Sequence, residues 1–181
     1  TGRFYRNPIY KNVITQLKQQ GYYLGPHSDQ HLLYCDWAKR DSLLVTENKF
    51  KEDLADNLKA IEKYGVKRSA IKYFIPPYEW YNDSIAEWTK QMEMQLINYS
   101  PGTKSTADYT WPQLENYRSS KEIFQSIIDK EKEDGLNGFI LLIHFGTDPK
   151  RTDKFYNRLD DLIITLKESG YQFTSIDEVL K

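Results

Sequence analysis

The chain has little cysteine and no long hydrophobic run, and both shortages narrow the classes of protein to which it can belong. Its single cysteine, Cys35, cannot form an internal disulfide, so the fold is not a disulfide scaffold. No run of about 18 apolar residues occurs, so the sequence predicts no membrane-spanning helix. Neither sign of charge dominates. The 25 basic and 26 acidic residues give a net charge of −1, which argues against a nucleic-acid-binding surface.

The chain has enough residues and enough apolar side chains for a globular domain. Its 181 residues are 39% hydrophobic, which suffices for one domain with a sizeable core. Fourteen tyrosines and four tryptophans are more than such a core needs. Aromatic rings stack on sugar faces but also pack in cores, so their number alone does not choose between binding and packing.

All three histidines lie in two short segments. His27 and His31 follow the apolar stretch 22–24, and His144 follows the apolar stretch 139–143. Two histidines four apart can turn their rings toward one ion if the chain between them forms a helical turn. Zinc and several other divalent metals accept neutral imidazole. A histidine taken singly is more often structural, yet one at the end of a buried strand is also suited to proton transfer near neutral pH.

The hydrophobic pattern alternates helices with short strands. Apolar residues recur at helical spacing in 8–20, in 50–61 and in 155–166, and Ser119 with Glu122 predicts a capping box before another helix. A further helix is predicted to start at 82–84, and a short one after Ser175. This alternation favours a parallel sheet. The predicted strands cover 22–24, 70–75, 94–99, 139–143 and 171–174.

The first histidine segment resembles a known motif. His27, Ser28 and His31 match the His-(Ser/Thr)-x-x-His motif of polysaccharide deacetylases of the NodB-homology type, carbohydrate esterase family 4. Three later motifs of that family are matched in part, at 75–79, at 108–111 and at 142–144. The resemblance covers nearly the whole chain, and its two histidine motifs are the specific ones.

The resemblance implies an α/β fold. It predicts a partial, distorted (β/α)7 barrel in which about five parallel strands are present, with 1–181 forming a single polysaccharide deacetylase-like domain. The family's first motif, Thr-Phe-Asp-Asp, has no counterpart before His27, and the only Asp-Asp pair lies at 160–161 on a predicted late helix. We therefore expect the domain to be N-terminally incomplete. We also expect 22–24 to be an open barrel edge that an upstream fragment or a second copy covers, or that the segment 1–10 shields.

The resemblance also implies an activity. It predicts a metal-dependent hydrolase that removes N- or O-linked acetyl groups from a polysaccharide or oligosaccharide. The expected cofactor is a divalent metal, zinc first, with cobalt, nickel and manganese as alternatives. Such enzymes work outside the cytoplasm, in the periplasm, at the cell surface or after secretion. Because the first motif supplies the catalytic base and the third metal ligand, we expect this chain alone to be inactive.

The resemblance assigns a role to each candidate site residue. His27 and His31 are the metal ligands, His144 is the general acid, and the backbone amide of Tyr78 contributes to the oxyanion hole. The candidate substrate-binding residues are Leu142, which lines the acetyl pocket, and Trp111, Trp80, Asp108 and Glu79.

Two other functions stay open at this point. One is a carbohydrate-binding module that keeps the deacetylase fold without full catalysis. The missing Asp-Asp motif supports it, as does Ile75, which stands where the family has an arginine. The other is a hydrolase of a different non-peptide C–N bond. An upstream segment carrying Asp-Asp in the intact gene product would favour the deacetylase.

Overall fold

A computed structural model of the protein describes residues 1–180, and they divide into two compact units. Unit 1 comprises Thr1–Asn98 together with the segment that starts at Ser175, and unit 2 comprises Tyr99–Thr174. Each unit has its own hydrophobic core. None of the helices within 1–180 is both long enough and apolar enough to cross a membrane.

Unit 1 combines helices with a pair of short parallel strands. Its α-helices are α1 (Gly2–Arg6), α2 (Lys11–Gln19), α3 (Glu47–Glu62), α4 (Asp83–Gln91) and α7 (Ile176–Val179), and its strands are β1 (Tyr73–Phe74) and β2 (Gln95–Leu96). Short 3₁₀ turns lie at Pro8–Tyr10, Arg68–Ala70 and Pro77–Glu79.

Side-chain caps and glycine set the helix ends in unit 1. The Thr46 hydroxyl accepts the Lys49 amide at the start of α3, and the Asn82 side chain accepts the Ile85 amide at the start of α4. The predicted helix over 8–20 is a 3₁₀ turn followed by α2, and the chain turns away at Gly21, whose φ is 82°.

The core of unit 1 is built on α3. Phe50, Leu54 and Ile61 recur at helical spacing on one face of this helix, and none of them is exposed. Asp53 and Asn57 lie on the same face and are also buried. A core helix that buries two polar side chains must supply them with hydrogen-bond partners, because an unpaired buried polar group is costly.

The strands that form a ladder are two of the five predicted, and both are shorter than predicted. β1 and β2 are parallel, with Tyr73 opposite Gln95 and Phe74 opposite Leu96. The Gln95 amide donates to the Lys72 carbonyl at 2.7 Å. Within 1–180, the stretches 22–24, 139–143 and 171–174 join no ladder.

The stretch 22–24 was predicted to be an edge strand, and the bonds of one side chain explain why it is not. The Tyr23 hydroxyl accepts the amides of Lys72 and Tyr73 at 3.0 and 2.8 Å and donates to the Tyr73 carbonyl at 3.2 Å. It therefore occupies backbone groups of β1 that a neighbouring strand would use. In 139–143 the backbone of Ile140 bonds instead to Ser100. The Ser100 amide donates to the Ile140 carbonyl at 2.9 Å, and the Ile140 amide donates to the Ser100 hydroxyl at 3.0 Å.

Unit 2 is built around α5 (Ser120–Asp134) and α6 (Leu159–Glu168), with 3₁₀ turns at Ser105–Tyr109 and Phe155–Arg158. The predicted capping box is confirmed. The Ser119 hydroxyl accepts the Glu122 amide at 3.2 Å, and the Glu122 carboxylate accepts the Ser119 amide at 2.8 Å. The buried core residues are Ile123, Ile127, Leu136, Phe155, Leu162 and Leu166.

The last helix starts where it was predicted to start, but it has no side-chain cap. The helix α7 follows Ser175, as expected, but the Ser175 hydroxyl donates to the Asp177 carboxylate and makes no capping bond to the helix backbone.

We predict that Tyr23→Phe lowers the free energy of unfolding of unit 1 by about 1–3 kcal/mol, because three backbone groups of 72–73 lose their partner. Urea denaturation followed by circular dichroism measures the change. Tyr22→Phe is the matched control, since Tyr22 is 59% exposed, and it should change stability by less than about 0.5 kcal/mol. Equal stability of the two variants would contradict this account of β1.

Candidate functional site

The first two histidines lie side by side in a loop of unit 1. The ring centroids of His27 and His31 are 5.0 Å apart, with an angle of 65° between the ring planes. The loop is not the helical turn from which their proximity was predicted, because Ser28 and His31 have φ angles of 65° and 59°. The left-handed conformation of these two residues brings the rings together instead. Because this conformation is unfavourable for residues with side chains, other bonds must hold the loop in it.

The buried carboxylate of Asp53 holds this loop. It accepts the Ser28 hydroxyl at 2.5 Å, and its two oxygens accept the amides of Asp29 and Gln30, each at 3.0 Å. The Ser28 hydroxyl in turn accepts the His31 amide at 3.0 Å. These bonds connect the α3 core face directly to the backbone of His31.

The Tyr34 hydroxyl lies 3.4 Å from the same Asp53 carboxylate. Tyr34 is fully buried, and this burial raises the pKa of its phenol. The hydroxyl therefore stays protonated and available as a donor near neutral pH.

Two further contacts fix the ends of the loop. The Asn57 side chain, one helical turn after Asp53, accepts the His27 amide at 2.9 Å. Asp29 makes a bidentate ion pair with Arg6, in which the two guanidinium NH groups donate to the two carboxylate oxygens at 2.6 and 2.7 Å. This interaction raises the pKa of the Arg6 guanidinium. The Asp29 side chain thus anchors the loop to the last residue of α1.

A glycine makes room for that ion pair. A Cβ atom on Gly2 would lie 1.8 Å from the Asp29 Oδ1. The Gly2 amide also donates to the Ser28 carbonyl at 3.1 Å. Helix α1 therefore packs its backbone against the histidine loop, and any side chain at position 2 would displace Asp29.

The His27 ring is oriented by a backbone carbonyl. Its Nδ1 lies 2.9 Å from the Ile75 oxygen, and because a carbonyl only accepts, Nδ1 carries the proton. The lone pair of the neutral ring is then on Nε2. A histidine that donates one ring N–H to a carbonyl and offers the other nitrogen is the usual arrangement of a metal ligand. Ile75 stands where the resembled family has an arginine. In this chain its backbone carbonyl, and not its side chain, contacts the site by accepting the His27 ring N–H.

The chemistry of this pair fits a divalent metal in part. Two neighbouring imidazoles match two positions of a zinc-type site, which normally has three or more protein ligands. Among residues 1–180, no group of three or more His, Cys, Asp or Glu side chains is placed to hold a metal ion. The described residues therefore fit two ligands of such a site and not a complete one.

The turn at 76–80 brings Tyr78 to the histidine pair. The Tyr78 ring centroid is 4.5 Å from that of His31. Tyr78 and Glu79 both have positive φ angles, 59° and 53°, which are uncommon for residues with side chains. The internal bonds of the turn use the amides of Glu79 and Trp80, so the turn itself does not consume the Tyr78 amide proposed for the oxyanion hole.

Glu79 and Trp80 have supporting contacts in unit 1. The Glu79 carbonyl accepts the Asn98 side chain at 3.0 Å. The half-buried Trp80 donates its indole N–H to the Asp36 carbonyl at 3.2 Å, and the Arg40 guanidinium lies 4.4 Å from its ring. Neither contact excludes a role in substrate binding, which stays a prediction for both residues.

In unit 2 the third histidine is bound by a buried aspartate. Asp108 has a fully buried side chain, and its two oxygens take the His144 amide and the His144 Nδ1, each at 2.6 Å. This geometry makes Asp108 a residue that positions His144, and its predicted contact with substrate stays a prediction. The assignment of His144 as the general acid stays a prediction.

The other candidates of unit 2 are half-buried. Trp111 has the Lys150 ammonium 5.2 Å from its ring centroid, and Leu142 precedes His144 on the apolar stretch. The assignment of both residues to substrate binding therefore continues to depend on the motif match.

Arg151 was missed at the sequence level. It is fully buried and donates to the Thr110 carbonyl at 2.6 Å, the Arg118 carbonyl at 3.1 Å and the Ser120 hydroxyl at 3.3 Å. It thereby ties the loop that carries Asp108 to the start of α5. A charged residue in a loop gives no periodic signal of burial, so only the fold reveals it.

Asp53 and Asn57 were also missed, but the sequence does carry a signal for them. Both fall on the apolar stripe of α3, between Phe50, Leu54 and Ile61. A polar residue at a core position of a regular helix is a candidate for a structural or functional bond.

Comparison with known proteins points to one family. The sequence model of the polysaccharide deacetylase family matches residues 3–97. The peptidoglycan-N-acetylmuramic acid deacetylase PdaA of Bacillus subtilis is 23% identical over 180 residues, an alignment that covers 99% of this chain and 59% of that protein. The chain thus spans about three fifths of the length of this relative.

Solved structures show the same fold. A carbohydrate esterase family 4 pseudoenzyme from Bacillus anthracis superposes with a TM-score of 0.69 at 20% identity, covering 96% of this chain and 51% of that one. A family 4 acetyl xylan esterase from Clostridium thermocellum, in complex with a cobalt ion, superposes with a TM-score of 0.68 at 20% identity, covering 96% and 71%.

We predict that Asp53→Asn lowers the free energy of unfolding by about 2–3 kcal/mol, because one carboxylate oxygen becomes an amide NH₂ that faces donors. Glu52→Gln, on the exposed side of the same helix, is the matched control. Urea denaturation compares the two variants. An Asp53 variant as stable as the Glu52 variant would show that the loop does not depend on this carboxylate.

We predict that His27 and His144 both hold their proton on Nδ1 when neutral, because each Nδ1 faces an oxygen acceptor. Long-range ¹H–¹⁵N NMR at pH 8 identifies the protonated nitrogen of each ring, and His→Ala variants assign the three histidines. Asp108→Ala should alter the spectrum of His144 and leave that of His27 unchanged. An Nε2–H form for His144 in the unaltered protein would contradict its pairing with Asp108.

Proposed function

The chain belongs to the polysaccharide deacetylase family, and we propose that it carries the metal-binding and proton-donating parts of a hydrolase that removes acetyl groups from a polysaccharide or oligosaccharide. The observation that carries the proposal is the His27–His31 pair, with its rings 5.0 Å apart and the His27 Nδ1 directed to a carbonyl. A loop held by a buried carboxylate is the kind of support that metal ligands need.

His27 and His31 would hold a divalent metal, zinc first and cobalt, nickel or manganese as alternatives. When bound, such an ion would polarise the acetyl carbonyl and lower the pKa of the attacking water. The remaining ligands would come from outside the pair, and a segment that carries the family's Thr-Phe-Asp-Asp motif is our candidate source. The same source would provide the base that takes the proton of the attacking water.

The residues of this chain would protonate the leaving group and stabilise the charge that develops on the carbonyl oxygen. Water adds to the acetyl carbon, and the bond from that carbon to the sugar nitrogen or oxygen breaks. His144 gives a proton to the leaving atom, so that acetate and a free amine or hydroxyl result. Asp108 positions the His144 ring, and the Tyr78 amide donates to the carbonyl oxygen as negative charge develops on it.

The substrate class follows the relatives. PdaA is named for N-acetylmuramic acid in peptidoglycan, and the esterase neighbour for acetylated xylan. We therefore propose an acetylated cell-wall or plant-type polysaccharide, with Leu142, Trp111, Trp80 and Glu79 near the sugar, and a location outside the cytoplasm. The chain would act as a single domain with the partial barrel, of about five parallel strands, that the family implies.

A second candidate function is a carbohydrate-binding protein that keeps the fold and lacks catalysis. Two observations favour it: the described residues offer no three-ligand group, and one structural neighbour is a pseudoenzyme. Two observations separate the two functions. One is an assay of acetate release from acetylated sugar oligomers, and the other is a search for an upstream Asp-Asp segment in the intact gene product. Hydrolysis of another non-peptide C–N bond remains a further alternative from the sequence.

We predict that cobalt or zinc binds to the histidine pair more weakly than to a three-ligand site. His27→Ala and His31→Ala should each lower the affinity by at least about tenfold. His144→Ala is the matched control because it removes the only other histidine. Calorimetric titration of this chain measures the binding. Unchanged affinity in the His27 and His31 variants would overturn the metal assignment.

The same preparations test turnover, measured as acetate released from acetylated sugar oligomers with added zinc or cobalt. We expect no robust release by this chain alone, because the family's Thr-Phe-Asp-Asp motif has no counterpart before His27. Release after a segment with that motif is supplied would support the deacetylase. Robust release without it would show that a residue of this chain provides the base.

A further inference from the structure

An exposed aromatic ring lies next to the histidine pair and belongs to none of the matched motifs. Trp37 is 57% exposed, and its ring centroid is 5.5 Å from that of Tyr78. Tyr78, which is 45% exposed, lies 4.5 Å from His31 on its other side. Trp37 is therefore one ring away from the candidate metal ligand.

The loop that presents Trp37, residues 36–42, is closed on itself. The Asp36 amide donates to the Ser42 carbonyl at 2.9 Å, and just outside the loop Cys35 pairs with Leu43 in an antiparallel bridge. The Asp36 carboxylate accepts the amides of Ala38 and Lys39 at 2.8 and 2.7 Å. These bonds fix the backbone on both sides of Trp37.

The same loop is also fastened to the segment after Tyr78. The Arg40 side chain donates to the Tyr81 carbonyl at 2.5 Å, and the Asn82 side chain donates to the Arg40 carbonyl at 3.1 Å. The Trp80 indole donates to the Asp36 carbonyl. The Trp37 ring then lies 5.7 Å from Trp80, at a tilt of 32°. Trp80 thus supports Trp37 from a half-buried position.

A large exposed indole in a fixed loop is an uncommon choice for a surface that only meets water. Ordering an exposed loop has an entropic cost, and burial of Trp37 does not offset it here. A rigid aromatic platform loses little freedom when a ligand stacks on it, which favours binding. The C–H face of a pyranose ring is a flat apolar partner of matching size.

We propose that Trp37, supported by Trp80 and joined to the site through Tyr78, forms a stacking subsite for a sugar unit of an oligosaccharide chain. This inference rests on the proposed function, because the sugar unit is the neighbour of the one whose acetyl group reaches His31. The subsite binds the chain and takes no part in proton transfer. It therefore favours oligomers over single sugars.

The test is calorimetric titration of this chain with the tetramer of N-acetylglucosamine and, separately, with xylotetraose. Trp37→Ala should weaken binding of the preferred tetramer by about tenfold, the loss expected for one aromatic stacking contact. Trp37→Tyr should restore most of the affinity. The monosaccharide should bind equally to the unaltered protein and to Trp37→Ala.

Tyr22→Ala is the matched control, because Tyr22 is equally exposed in unit 1 and belongs to no part of the loop. Tetramer affinity that is unchanged in Trp37→Ala, or no binding of either tetramer to the unaltered protein, overturns the inference. So does a change from dimer to monomer on sedimentation without a change in sugar binding, which would make the surface a contact between copies.

The readout uses neither metal nor turnover. A chain that binds the tetramer through Trp37 but binds no metal keeps the subsite and loses the proposed deacetylase. A chain that binds metal at His27 and His31 but shows no dependence on Trp37 keeps the deacetylase and loses the subsite.

Discussion

The candidate site of unit 1 depends on one buried carboxylate. Asp53 lies on the core face of α3 and accepts a hydroxyl and two amides from the loop that carries the histidine pair. Those bonds hold Ser28 and His31 in a backbone conformation that residues with side chains seldom adopt. The helix that builds the core is therefore also the element that sets the geometry of the site, and packing and chemistry cannot change independently there.

The helices could be predicted from the sequence because their signals are local. The apolar spacing from Phe50 to Ile61 and the Ser119–Glu122 capping box lie within one element each, and both appear as predicted. Strands were predicted less well, because a ladder requires a neighbour that the apolar run does not specify. The runs at 139–143 and 171–174 have apolar residues typical of strands, but the first is half-buried, the second is mostly exposed, and neither joins a ladder in the described residues.

The site could be predicted where a motif names the residue. His27, His31 and His144 were found this way, and the structure places the first two together. Arg6 and Arg151 were not found, because they act through tertiary bonds between segments far apart in the chain. Asp108 was found through its motif, but its bond to His144 was not predicted. Trp37 was not predicted either, because it belongs to no motif and no periodic pattern. Only its exposure in a fixed loop identifies it as a candidate binding residue.

The hydroxyl of Tyr23 has a consequence beyond stability. β1 pairs with β2 along one side, and on its other side the amide and carbonyl of Tyr73 are both occupied by that hydroxyl. An open strand edge is a template on which a strand from another molecule can add, and such addition leads to aggregation. A single phenol, which cannot itself be extended by further pairing, closes this part of the edge. At Tyr73, the backbone groups on which such a strand would add are therefore already bonded within the chain.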